Sequence, residues 1–153
     1  MRVVNMGAQL AALSANRELW AAIAGWIIAQ AIKTLLTWRK ERKFNLGHLV
    51  ASGGMPSSHS ALVTGLATAV GRINGLNSAV FALAAVFAGV VMYDAAGVRL
   101  AVSRQARILN MMLDDVFHER GLREERLREL IGHTPIQVIT GALIGIVTGV
   151  LFT

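Results

Sequence analysis

Four apolar segments, separated by polar or charged runs, organise this chain. The clearest runs from Leu19 to Trp38, about 20 residues, which is enough to cross the hydrocarbon core of a bilayer, with Trp20 and Trp38 near its ends as interface anchors. One charge, Lys33, lies inside it. Gln30, Lys33 and Thr37 follow at spacings of three and four residues, so they share one helical face that can look into a bundle. The second segment, Ser58 to Val70, covers about 13 residues and rises only about 20 Å as a helix, short of a core of about 30 Å. The spacing predicts that its glycine-rich entry loop dips below the membrane surface, where non-helical backbone is tolerated only against protein or a wet cavity. After a turn at Arg72-Ile73-Asn74-Gly75, a third segment runs from Ser78 to about Tyr93. The fourth extends from about Gln137 to Thr153, with Gly141, Gly145 and Gly149 forming a smooth ridge for close helix packing within the chain or between chains.

The intervening runs have a different character. Between Ser103 and Phe117, Ala106, Leu109, Leu113, Val116 and Phe117 recur at helical spacing while Arg104, Arg107, Asp114 and Asp115 take other faces. This pattern predicts an interfacial amphipathic helix. Glu119 to Glu129 is a mixed-charge run whose simplest role is a solvated face. Asp114 and Asp115 are adjacent and point to different sides of a helix, so they do not define a metal site, and His48 and His118 read as interface residues. The fold class that results is all-α: a polytopic membrane helical bundle of about four membrane segments plus an interfacial amphipathic helix, forming a single membrane-embedded domain over residues 1–153.

Composition agrees with that class and narrows the chemistry. Hydrophobic residues make up 54% of 153 positions, and the mean hydropathy is +0.54, too apolar for an ordinary soluble domain. A net charge of +6 in principle suits nucleic acid, but the basic residues flank apolar spans and aromatics are few, which fits anionic lipid headgroups and not nucleic acid. With no cysteine, disulfides, thiolate metal sites and thiol nucleophiles are excluded. The first apolar stretch is too long for a cleaved signal peptide and lacks a small-residue cleavage site. The cluster Arg39, Lys40, Arg42 and Lys43 marks its side as cytoplasmic by the positive-inside rule. The expected location is a bacterial plasma (inner) membrane.

Two helix starts carry the candidate chemistry. In Gly53-Gly54-Met55-Pro56-Ser57-Ser58-His59-Ser60 the glycines let backbone approach an anion, Pro56 is pre-set for a helix start, and Ser57 or Ser58 can cap. The helix end then favours negative charge. In Gly132-His133-Thr134-Pro135-Ile136-Gln137, Thr134 can cap and Pro135 can take the first helical position, leaving His133 just outside. If all four segments cross as helices, Lys33 to Lys43, His59, Asp94 to Arg99 and His133 converge on one membrane face.

The Gly-Gly-Met-Pro-Ser-Ser-His-Ser-Ala run, the Tyr-Asp-Ala-Ala-Gly-Val-Arg run and the Gly-His-Thr-Pro run occur in this order over nearly the whole chain. Together they resemble the divergent branch of the type 2 phosphatidic acid phosphatase superfamily, also described as acid phosphatase/vanadium-dependent haloperoxidase-related. The resemblance implies that His59 is the general acid and His133 the nucleophile. It also implies cationic and amide groups around phosphate, with Lys33, Arg99, Ser57, Ser58 and Thr134 as the binding set and no metal or other cofactor. The sequence departs from the superfamily pattern in three places. Lys33 and Lys40 echo its lysine motif without the Arg-Pro, Arg126 and Arg128 fall out of register with the arginine expected before the nucleophile, and Gln137 stands where a carboxylate supports that nucleophile. A glutamine orients an imidazole without offsetting its positive charge, a task left to Asp94.

The implied activity is hydrolysis of a lipid phosphomonoester or pyrophosphate through a phosphohistidine, at an active site on the cytoplasmic face. Expected partners are a lipid phosphate substrate, membrane lipids and a second copy joined through the Gly141/Gly145/Gly149 ridge. The alternative is a non-catalytic module that binds lipid phosphate, or a transporter of it.

Overall fold

A computed structural model of the chain describes residues 6–41, 54–118 and 133–153. Among them lie six helices and no strand: α1 (Met6–Ser14), α2 (Arg17–Glu41), α3 (Ser58–Asn74), α4 (Ala79–Ala96), α5 (Val98–His118) and α6 (Pro135–Leu151). The helix α3 is the centre of the bundle, with α2, α4 and α6 all packed against it. The short second apolar segment is longer than its hydropathy suggests. It continues through Arg72 to Asn74 and stops at Gly75, whose φ of 87° requires glycine. Both α3 and α6 thereby reach 17 residues.

The helix starts follow local chemistry. Ser57, not Pro56, opens α3, its Oγ accepting the Ser60 amide at 3.3 Å, while Pro56 lies buried outside the helix behind a cis Met55–Pro56 peptide. In α4 the Ser78 Oγ accepts the Phe81 amide at 3.1 Å. In α6 Thr134 is the N-cap and Pro135 the first helical residue, as the sequence predicts.

Packing is inverted relative to a water-soluble bundle. The interior is built from small residues such as Ala21, Ala29, Ala61, Ala69 and Ala88, together with Ser57, Ser60, Thr64 and Thr148. Large apolar side chains point outward: Trp26, Ile27, Leu35 and Leu36 on α2, Leu83, Val86 and Val90 on α4, Ile139, Leu143 and Val147 on α6. Small interior residues let backbones approach, and exposed apolar belts of this extent suit a lipid solvent. Two helices, α2 over Arg17–Arg39 and α4, are long and apolar enough to cross a membrane.

The glycine ridge of α6 lies against α3 of the same chain. A Cβ at Gly141 would collide with the Ser57 carbonyl, one at Gly145 with Thr64 Oγ1 and the Ala61 carbonyl, and one at Gly149 would come within 2.8 Å of Thr68 Cγ2. Gly25 of α2 and Gly65 of α3 add close approaches at the same level, each facing Thr148 Oγ1. At one end of the bundle, polar contacts tie three helices together. Arg17 Nε donates to the Phe152 carbonyl (2.8 Å), Arg72 Nε to Thr153 Oγ1 (2.8 Å) and Asn74 Nδ2 to Glu18 Oε1 (3.1 Å).

The amphipathic segment forms α5, which starts earlier than its periodicity predicts and packs against α4. Its inward face is formed by Ala106, Asn110 and Leu113, whereas Leu109, expected on that face, is exposed with Val102, Ile108, Met111 and Met112. Arg42, Lys43, His48 and the charged run 119–129 lie outside the described residues.

Because backbone atoms cannot yield as a flexible side chain can, Gly145→Ala is expected to destabilise the bundle by about 2–3 kcal/mol. At Gly89, on α4, an added methyl group would meet nothing within 4 Å, and Gly89→Ala should be neutral or stabilising by up to about 1 kcal/mol. Equal unfolding midpoints for the two variants in detergent would contradict this packing.

Candidate functional site

At the end of the bundle opposite the Arg17 and Arg72 contacts, the starts of α3 and α6 meet the second half of α2 and the end of α4. Two backbone hydrogen bonds fix the arrangement: the Ser57 amide donates to the Gln137 carbonyl (3.0 Å) and the His133 amide to the Ala95 carbonyl (3.2 Å). His133 is therefore held between α4 and the first turn of α6, and it is 4% exposed. Lys33, also 4% exposed, lays its aliphatic stem beside Gly54, whose φ of 87° admits only glycine without strain. A methyl group at Gly54 would lie 3.5 Å from Lys33 Cγ. Gln30, one turn before Lys33, is buried as well, and Thr37 is half-buried, so the polar face of α2 does turn into the bundle.

Gln137 is the hinge of this network. Its Oε1 accepts the Thr134 amide at 2.9 Å and faces His133 Nδ1 at 3.3 Å. The backbone donor identifies the facing atom as the amide oxygen, so the network assigns the hydrogen of a neutral His133 to Nδ1 and the lone pair to Nε2. Thr-x-x-Gln is a capping-box pattern, and here the glutamine that caps the helix also orients the histidine just before it.

The remaining predicted site residues are distributed as follows. Ser57 and Ser58 are buried at the start of α3; Ser58 is the first helical residue, and its amide belongs to those that a helix start leaves without an intrahelical partner. The Ser57 amide does not fit its expected role as a phosphate donor, because it is engaged by the Gln137 carbonyl. The Ser57 hydroxyl oxygen accepts both the amide and the hydroxyl (3.0 Å) of Ser60. Ser57 is thus a structural joint between α3 and α6. His59 is exposed on the first turn of α3, and Thr134 is exposed at the α6 cap. Asp94 is half-buried and immediately precedes Ala95, the residue that holds the His133 backbone. Arg99 is the second residue of α5, with a side chain outside the described ones, as are those of Asp114, Asp115 and His118. Arg126 and Arg128 lie outside the described residues altogether.

Sequence reasoning missed Ser60 and Ala95. Ser60 was legible as the residue three beyond a serine cap, whereas the backbone role of Ala95 leaves only the faint signal of small residues in Asp-Ala-Ala-Gly. No group of three or more metal-ligating side chains occurs among the described residues. The arrangement offers a buried, oriented imidazole, a buried lysine and a capped helix start at one end of the bundle. It can hold an anion and present a nitrogen lone pair to it.

An interior of small residues, outward-facing apolar belts and buried polar side chains at the starts of α3 and α6 define a helical bundle of the membrane-packing type. The chain belongs to the Divergent PAP2 family, which it matches over residues 14–148. It is 39% identical over 145 residues to the uncharacterized membrane protein YuiD of Bacillus subtilis (strain 168), covering 88% of this chain and 92% of that protein. No solved structure matches it.

The assigned tautomer is directly measurable. In protein with nitrogen-15-labelled histidine, the neutral His133 ring, identified by subtraction of the His133→Ala spectrum, should carry its proton on Nδ1. Gln137→Leu should return it to the mixture of tautomers of an unrestrained imidazole. An unchanged tautomer in Gln137→Leu would remove the orienting role.

Proposed function

We propose that this chain is an integral membrane phosphatase that hydrolyses a phosphomonoester or pyrophosphate of a lipid through a phosphohistidine at His133. The single observation that carries the reading is the His133–Gln137–Thr134 network, which sets the hydrogen of the buried imidazole on Nδ1 and so makes Nε2 the nucleophilic nitrogen, at the end of the bundle where Lys33 is also buried. The Divergent PAP2 family supports the reaction class, and the name of YuiD supports the membrane setting. In this reading α2, α3, α4 and α6 all cross a bacterial inner membrane, and α5 rests at the interface with the site on the cytoplasmic side.

The steps follow from these residues. Lys33, Arg99, the Ser58 amide and Thr134 hold the phosphoryl oxygens and stabilise their charge. His133 Nε2 forms a bond to phosphorus as the bond to the ester or pyrophosphate oxygen breaks, its electron pair leaving with that oxygen. His59, as imidazolium, supplies the proton that the leaving oxygen takes up. The neutral His59 then accepts a proton from water as the water oxygen attacks phosphorus, the Nε2–phosphorus bond breaks, and orthophosphate is released. Asp94 offsets the positive charge that builds on His133, which Gln137 orients without neutralising.

Purified protein in lipid nanodiscs, presented with phosphatidate, phosphatidylglycerophosphate and a polyprenyl pyrophosphate, is expected to release orthophosphate from at least one. His133→Ala should lower that rate by about four orders of magnitude while changing affinity by less than about tenfold. Gln137→Glu should move the rising limb of the pH–rate profile to higher pH, because a carboxylate favours the imidazolium, which has no lone pair for attack. Asp94→Asn should reduce turnover sharply. Saturable binding with no phosphate release from any of the three lipids, in wild type and variants alike, would replace this reading with lipid-phosphate binding or transport.

A further inference from the structure

A groove of about 590 Å³ runs along α3 in the half of the bundle away from His133. It exists because α4 and α6 both pack on α3 but make little contact with each other, leaving between them a narrow groove whose α3 floor is largely buried. Ala67, Thr68 and Gly71 form its small-residue floor, and Phe81 and Ala85 of α4 face Ile146 of α6 as its walls. At the inner end the Thr64 hydroxyl is already satisfied by the Ser60 and Ala142 carbonyls, at 2.7 and 3.1 Å, so the channel is apolar along its length. At the outer end stands Arg72, exposed, with Nε on Thr153 Oγ1.

The dimensions and the charge select the occupant. From Thr64 to Arg72 the helix rises about 12 Å, close to the depth of one leaflet, half of a hydrocarbon core of about 30 Å. A slot of that length, apolar inside and ending in a guanidinium at headgroup level, has the polarity profile of a single acyl chain below a phosphate. Its volume lies in the range of small-molecule sites, about 300–1,000 Å³. We propose that the groove binds one acyl chain of an anionic phospholipid of the leaflet opposite the candidate site, with the lipid phosphate on Arg72. The proposal rests on the membrane placement argued above and is independent of the catalytic reading. Such a lipid would wedge between α4 and α6 and bear on α3, the helix whose start carries Ser57 and Ser58.

The test uses full-length protein in vesicles containing phosphatidylglycerol or phosphatidylcholine with a photoactivatable diazirine midway along one acyl chain, with adducts mapped by mass spectrometry. Labelling is expected to concentrate on the groove residues of α3, α4 and α6, with phosphatidylglycerol preferred over phosphatidylcholine by about tenfold, equivalent to about 1.4 kcal/mol. Ala85→Trp, which fills the slot, should abolish groove labelling, whereas Phe87→Trp, on another face of α4, should leave it intact. Arg72→Gln should erase the headgroup preference while zwitterionic lipid still labels the groove. Labelling spread evenly over the outer faces of α2, α4 and α6, or groove labelling unaffected by Ala85→Trp, would overturn the lipid site and leave the membrane placement standing. Absence of labelling on every outer face would overturn both. A wild-type protein that labels equally with the two lipids would overturn the role of Arg72.

Discussion

The contact on which the structure depends is the backbone-to-backbone approach of α6 to α3 along Gly141, Gly145 and Gly149. Those positions leave no room for a methyl group against Ser57, Ala61, Thr64, Gly65 and Thr68. In a bundle whose large apolar residues face outward, cohesion comes from close packing and buried hydrogen bonds and not from sequestering bulky side chains. The glycine ridge sets the depth and register at which α6 meets α3. That register brings the Gln137 carbonyl to the Ser57 amide, and from this bond the polar end of the bundle is assembled.

The site is therefore a product of packing as much as of motif. One residue, Gln137, uses its carbonyl to seat the start of α3 and its side chain to cap α6 and orient His133. Ala95 supplies the second anchor through backbone alone. The orientation of the imidazole and the mutual placement of two helix starts thus share a single mechanical cause. The glutamine holds this geometry without adding a charge, and in the proposed mechanism charge compensation falls to a separate residue, Asp94.

How much of this could be read from the chain depends on whether the determining signal is local. The start of α6 was legible because Thr134 and Pro135 carry their capping chemistry in fixed spacing, and the burial of Gln30 and Lys33 followed from helical periodicity. The close-packing role of Gly141, Gly145 and Gly149 was legible, but its partner was not, because the residues opposite them on α3 are separated by some eighty positions from the ridge. The engagement of the Ser57 amide escaped for the same reason: a backbone donor has no residue-type signature. The helix α1 escaped because all of its residues are exposed and carry no amphipathic period. The end of α3 lies beyond the apolar run that Arg72 closes, because helix continues until Gly75 turns the chain.

The central claim is that His133 Nε2 becomes covalently phosphorylated. The most direct measurement is rapid acid-free quenching of the nanodisc-embedded protein with phosphorus-32-labelled lipid phosphates, followed by mapping of the labelled peptide and of the nitrogen that carries phosphate. The account predicts label on Nε2 of His133 that appears before orthophosphate and is absent from His133→Ala. Orthophosphate release with no protein-bound label, or label on Nδ1 or on another residue, would contradict it.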